Sequence, residues 1–78
     1  MPVSPRNGRQ RREAGAVVRE KRERKGLSQR LLGERIGVTQ ATVSQIERGA
    51  ASASITLDAL RELGNVPREL RAALEGAL

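Results

Sequence analysis

The chain has 78 residues, fifteen Lys/Arg against nine Asp/Glu, and no Cys, His or aromatic residue. A chain of this length supports one small domain whose core supplies only a few kcal/mol of net stability, so dimerisation would be unsurprising. The missing Cys and His remove disulfides, zinc sites, most other metal sites and the usual general base, so no enzyme, metal or cofactor is expected.

Charge is uneven along the chain. Residues 1–49 carry twelve Lys/Arg and five Glu, a surplus of seven, whereas residues 50–78 carry three Arg and four acids, a deficit of one. The basic end calls for a polyanion. Single-stranded nucleic acid and RNA are bound on aromatic platforms that this chain lacks, which leaves duplex DNA or an anionic membrane surface. The plain alternative is a basic surface that serves solubility alone. There is no apolar run long enough to span a bilayer and no signal-peptide pattern, so a cytoplasmic protein is expected.

In chain order, "MPVSPRNGRQRR" holds two prolines, a glycine and four arginines with almost nothing to bury, and reads as a flexible basic arm over residues 1–12. The domain proper is expected over 13–78. A first helix runs from about Glu13 to Lys25, with Ala14, Val17 and Val18 as a thin apolar side. A second, 29–36, starts after Ser28 as N-cap, with Leu27 and Leu32 placed for a hydrophobic staple. A third, 40–48, repeats the device after Thr39 with Val38 and Val43, and Val43 and Ile46 mark its inward side. The turn between them is short and contains Gly37, as in a helix-turn-helix. "ITLDALRELG" predicts a fourth helix with Ile55, Leu60 and Leu63 in the core, and "VPRELRAALEGAL" a fifth with Pro67 near its first turn. Glycines fall where helices should stop, and strand alternation is missing, so an all-α five-helix domain follows.

With Val43 and Ile46 inward, a spacing of 100° per residue turns Ala41, Ser44, Gln45 and Arg48 outward, with Gln40 at the helix start. Solvated helix faces more often carry Glu and Lys pairs. Gln can pair bidentately with adenine N6/N7 in a major groove, and Ala can meet a thymine methyl. Glu47 stands in the last turn, against the macrodipole and beside the core, so it needs a cation. Arg22 is one choice, for a pair with Glu47; by composition any arginine of the first helix would serve.

The stretch "REKRERKGLSQRLLGERIGVTQATVSQIERG" resembles the helix-turn-helix of Cro/phage-repressor-type transcriptional regulators, the XRE family, and the likeness covers roughly Ala14 to Gly64. Matching positions include Arg22, Gly26, Leu27, Ser28, Gln29, Leu32, Gly37, Thr39, Val43, Ser44, Ile46, Glu47 and Gly49. The resemblance implies a compact, lambda-repressor-like five-helix bundle whose third helix lies in the major groove, with dimers on pseudo-palindromic operators. It puts Gln40, Ala41 and Gln45 at base-reading positions and Ser44 at a contacting one, gives Gln29 a phosphate, and makes Arg22 and Glu47 the family's inter-helix salt bridge. Departures from the family pattern are Gly33 in place of a small Ala, Lys21 in place of an apolar residue, an apolar Leu31, and a shortened "AASAS" before the fourth helix.

The reading that follows is a sequence-specific double-stranded DNA-binding transcriptional regulator, taken as a repressor and a homodimer. Base contacts are assigned to Gln40, Ala41, Ser44 and Gln45, and phosphate contacts to Gln29, Arg30, Thr39, Thr42 and Arg48. Arg6, Arg9, Arg11 and Arg12 would serve as a minor-groove or backbone arm, against the alternative of a solvated tail. Leu70, Leu74 and Leu78, an i, i+4, i+8 stripe, form the candidate dimer surface unless they cover the domain's own core. The competing function, motivated by Leu31 and the C-terminal leucines, is an antitoxin-like interaction module that neutralises a protein partner and binds DNA secondarily.

Overall fold

The computed structural model describes residues 5–78, with side chains from Arg9 onward. Two hydroxyl caps set its punctuation. Ser28 Oγ accepts the Leu31 N–H at 3.0 Å and opens α2 (Gln29–Ile36); Thr39 Oγ1 accepts the Thr42 N–H at 3.2 Å and opens α3 (Gln40–Glu47). Each hydroxyl satisfies one of the N–H groups that a helix start leaves unpaired. Between the two helices Gly37 takes left-handed angles, φ 79° and ψ 30°, and the Val38 N–H closes back on the Gly33 carbonyl at 2.8 Å. This Schellman closure ends α2 and lets Thr39 cap α3 two residues later.

The remaining helices are α1 (Pro5–Arg24), α4 (Ala53–Leu63) and α5 (Arg68–Gly76), so the described residues form an all-α fold. They enclose one core. Ala14 and Val18 from α1, Leu32 from α2, Val43 and Ile46 from α3, Leu57, Leu60 and Leu63 from α4 and Leu74 from α5 are all buried. Leu27 and Val38, the two residues ahead of the caps, pack on this cluster as buried and half-buried neighbours.

Three expectations change. The first helix starts at Pro5, so the described part of the expected flexible arm is the opening of α1; Met1–Ser4 lie outside the described residues. Proline in a first helical turn forfeits no bond, and so Pro5 does not act as a breaker. Backbone packing holds the next turns: a Cβ on Gly49 would stand 2.6 Å from Arg12 Cγ and 2.8 Å from its Cα. The fourth helix starts before Ile55, because Ser52 Oγ caps it by accepting the Ile55 N–H at 3.3 Å. In that register Leu57 joins Leu60 and Leu63 in the core, Ile55 is half-buried, and buried Thr56 donates its hydroxyl to the Ser52 carbonyl at 2.8 Å.

The leucine stripe of α5 also divides. Leu74 is 1 % exposed inside this chain's own core, Leu70 is half-buried against it, and Leu78 is 72 % exposed beyond the helix end. Leu74 therefore has no surface to offer a second copy, and the expected three-residue dimer stripe does not stand as one face. No helix among the described residues is long and apolar enough to cross a membrane.

Candidate nucleic-acid interface

The burial of Val43 and Ile46 fixes how α3 is rolled. Gln40, Ala41, Gln45 and Arg48 come out exposed, and Thr42 and Ser44 half-buried at the edge. Among the described residues no side-chain hydrogen bond engages Gln40, Ser44 or Gln45. From Gln40 to Gln45 the face is therefore open, uncharged and furnished with two free amides that can each donate and accept, with the Arg48 cation beyond them.

Both short helices present their starts as well. The caps serve the third N–H of each, leaving the N–H groups of Gln29, Arg30, Gln40 and Ala41 without intrahelical partners. Such donors, with the macrodipole behind them, suit phosphate oxygens. Thr39 Oγ1 also lies 3.1 Å from Thr42 Oγ1, so the two hydroxyls form one polar edge at the start of α3. Arg30 is exposed and makes a loose pair with Glu34 at 3.4 Å, a pair whose solvated ends cost little to part.

Behind the open face lies a charged network. Arg22 Nε donates to Glu47 Oε2 at 2.6 Å, a second guanidinium N–H reaches Glu47 Oε1 at 3.2 Å, and the third nitrogen donates to the Leu27 carbonyl at 2.8 Å. Gln29 Nε2 adds a bond to Glu47 Oε1 at 3.0 Å. The two charged side chains are 11 % and 5 % exposed, so the carboxylate that α3 places against its own dipole is compensated by three donors in a nearly dry site. The bond to Glu47 raises the Arg22 guanidinium above its ordinary value, against the opposing effect of burial. Gln29, the expected phosphate ligand, spends one amide hydrogen inside this network and keeps the other and its oxygen.

The basic residues of α1 separate by environment. Arg9 is exposed and pairs with Glu13 at 3.4 Å; Arg12 is exposed; Arg11 is half-buried, with Nε enclosed and lacking a hydrogen-bond partner among the described residues. The Arg6 side chain lies outside the described residues. Arg9, Arg11 and Arg12 thus project from helix and not from an extended arm.

Two site-forming features escape the sequence reading. A Cβ on Gly15 would collide with the carbonyl oxygen of Ile46 and stand 2.7 Å from that of Glu47, so α1 crosses the end of α3 backbone to backbone. Gly49 makes the adjoining contact with Arg12. A lone glycine inside a helical pattern, as at Gly15, is the available signal for such an approach.

Comparison with known proteins agrees with this geometry. The family model described as Helix-turn-helix matches residues 18–69. A protein of Methanothermobacter thermautotrophicus, named as an uncharacterized HTH-type transcriptional regulator, is 44 % identical over 41 residues, covering 53 % of this chain and 59 % of that protein. The chain thus aligns with under two thirds of that relative's length. No solved structure matches. Two capped helices about a left-handed glycine, a buried ion pair beneath them and a match across most of the domain lead to one assignment: the chain belongs to the helix-turn-helix family of the Cro/phage-repressor (XRE) type, a family of DNA-binding regulators.

Proposed function

We propose that the protein is a sequence-specific double-stranded DNA-binding transcriptional regulator, a repressor that acts as a homodimer on a pseudo-palindromic operator. The observation that carries this reading is the roll of α3: Val43 and Ile46 are fully buried, while Gln40, Ala41 and Gln45 stand exposed and unengaged on the opposite side. In a major groove the two amides read adenine edges and Ala41 meets a thymine methyl, with Ser44 beside them. Phosphates on either side are held by the starts of α2 and α3, with Gln29, Arg30, Thr39, Thr42 and Arg48. Two copies would read half-sites about 34 Å apart.

Selecting bound duplexes from a random pool, then comparing the parent chain with Gln45→Ala and Gln40→Ala, tests the proposal. Each variant is expected to lose about 1–3 kcal/mol at particular base pairs and to relax preference there. An equal loss on every duplex would leave α3 without a reading role. The antitoxin-like alternative loses part of its motivation with Leu74 inside the core; among the described residues the exposed large apolar side chains are Leu31 and Leu78.

A further inference from the structure

The basic start of the chain is expected from sequence to be a mobile arm, yet from Pro5 it is helix, and its position is fixed by two glycine contacts against the end of α3. Gly15 admits the last α3 carbonyls, and Gly49, directly after Arg48, admits the backbone and Cγ of Arg12. Arg12 therefore lies beside Arg48 at the end of the recognition helix. Arg9, three residues before Arg12, shares its side of α1. Arg12 and Arg48 have no acidic partner within 4.0 Å among the described residues, and Arg9 has only the exposed, weak contact to Glu13.

From these contacts we propose that the first turns of α1 form a rigid cationic prop, Arg9 and Arg12 together with Arg48, that engages backbone phosphates of the same duplex beyond the end of α3. This rests on the DNA-binding reading above and adds to it a contact carried by a helix whose placement α3 itself dictates. Three features support it. The Arg12 backbone meets Gly49, next to Arg48, at the end of the helix that enters the groove, and Arg9 stands one turn before it, so these side chains start close to the strand bordering that groove. They are exposed, and the one ion pair among them, Arg9 with Glu13, is solvated and weak, so neutralising phosphates breaks no strong internal pair. They project from ordered helix, so a contact costs side-chain entropy alone and no ordering of a disordered tail. The competing role for Arg12 is internal: a cation beside the last carbonyls of α3 favours the macrodipole.

The two roles separate in a salt titration. Binding of the full chain to a selected duplex and to a random-sequence duplex is measured over a range of salt for the parent, Arg9→Gln, Arg12→Gln and the double variant, with thermal melting alongside. Removing one phosphate neutralisation lowers the slope of log K against log salt by about 0.9, so the double variant is expected to lower it by about 1–2 on both duplexes, with the ratio between them unchanged. Unchanged slopes, with or without a lower melting temperature, overturn the proposal and leave Arg12 its internal role. Arg9→Gln keeps the test open should Arg12→Gln fail to fold. If the parent shows no preference between the duplexes, base reading by α3 fails while the slope still decides the prop; if it binds neither duplex, both fall.

Discussion

Arg22 is the side chain on which several elements depend at once. It joins α1 to the carboxylate of α3 and to the Leu27 carbonyl ahead of the α2 cap, while its own carbonyl accepts the Leu27 N–H at 3.0 Å. Replacing it strands Glu47, 5 % exposed, with Gln29 as its remaining donor. Breaking a pair this buried costs about 3 kcal/mol, a large share of the roughly 4–12 kcal/mol a chain of this size has. Arg22→Met is therefore expected to lower the urea midpoint sharply at constant m value. Because folding raises the Arg22 guanidinium, its contribution is complete at any pH below its unfolded value and is lost only as pH climbs through the folded one, in strongly alkaline solution. The deficit of Arg22→Met should then be the same at about pH 7 and about pH 9. Glycines give a second residue-scale test. Gly15→Ala should lower the melting temperature, because the obstacles are backbone oxygens that cannot rotate aside, at a cost of about 1–3 kcal/mol that outweighs the helix propensity gained. Gly76, with nothing within 4 Å of an added Cβ, should accept alanine without loss.

At the scale of elements, the caps decide where α2 and α3 begin. Thr39→Ala removes the acceptor for the Thr42 N–H and should cost about 1 kcal/mol, read as a shift of the denaturation midpoint, whereas Thr39→Ser retains it. This local chemistry is why α2 and α3 are legible in the sequence almost to the residue. Cap, staple and left-handed glycine all lie within a few positions of one another, so spacing alone reveals them. The start of α1 is not legible in that way. Pro5, Gly8 and four arginines look like coil, and the contact that holds Arg12 is with Gly49, far along the chain. The start of α4 is equally hard to read, because the Ser52 cap stands in a run of small residues, and packing buries Leu57 fully while Ile55 lies half-buried against the same core. The outward face of α3 is readable because Val43 and Ile46 determine it; the part played by Gln29 is not, since its bond to Glu47 joins two helices.

Across the whole molecule the charge surplus of the first 49 residues sits mainly on α1, with α2, Lys25 and Arg48 adding one positive charge each and α3 itself carrying only the charge of Glu47, while α4 and α5 are near neutral. Affinity for any duplex should therefore fall steeply with salt, by roughly a hundredfold between about 50 and about 200 mM for about four phosphate contacts. Stability is distributed differently from charge. The last helix contributes one fully buried side chain, Leu74, and it starts at Pro67 with no side-chain cap, whereas α4 buries six residues and is capped by Ser52. With one fully buried side chain and no side-chain cap, α5 is the least anchored helix of the core, so it should behave as a separately melting unit. In deuterated buffer the amides from Arg71 to Leu74 should exchange ahead of the hydrogen-bonded amides of Leu32 and Val43, and a protease acting near Asn65 should release the C-terminal peptide while the two-helix reading head stays intact.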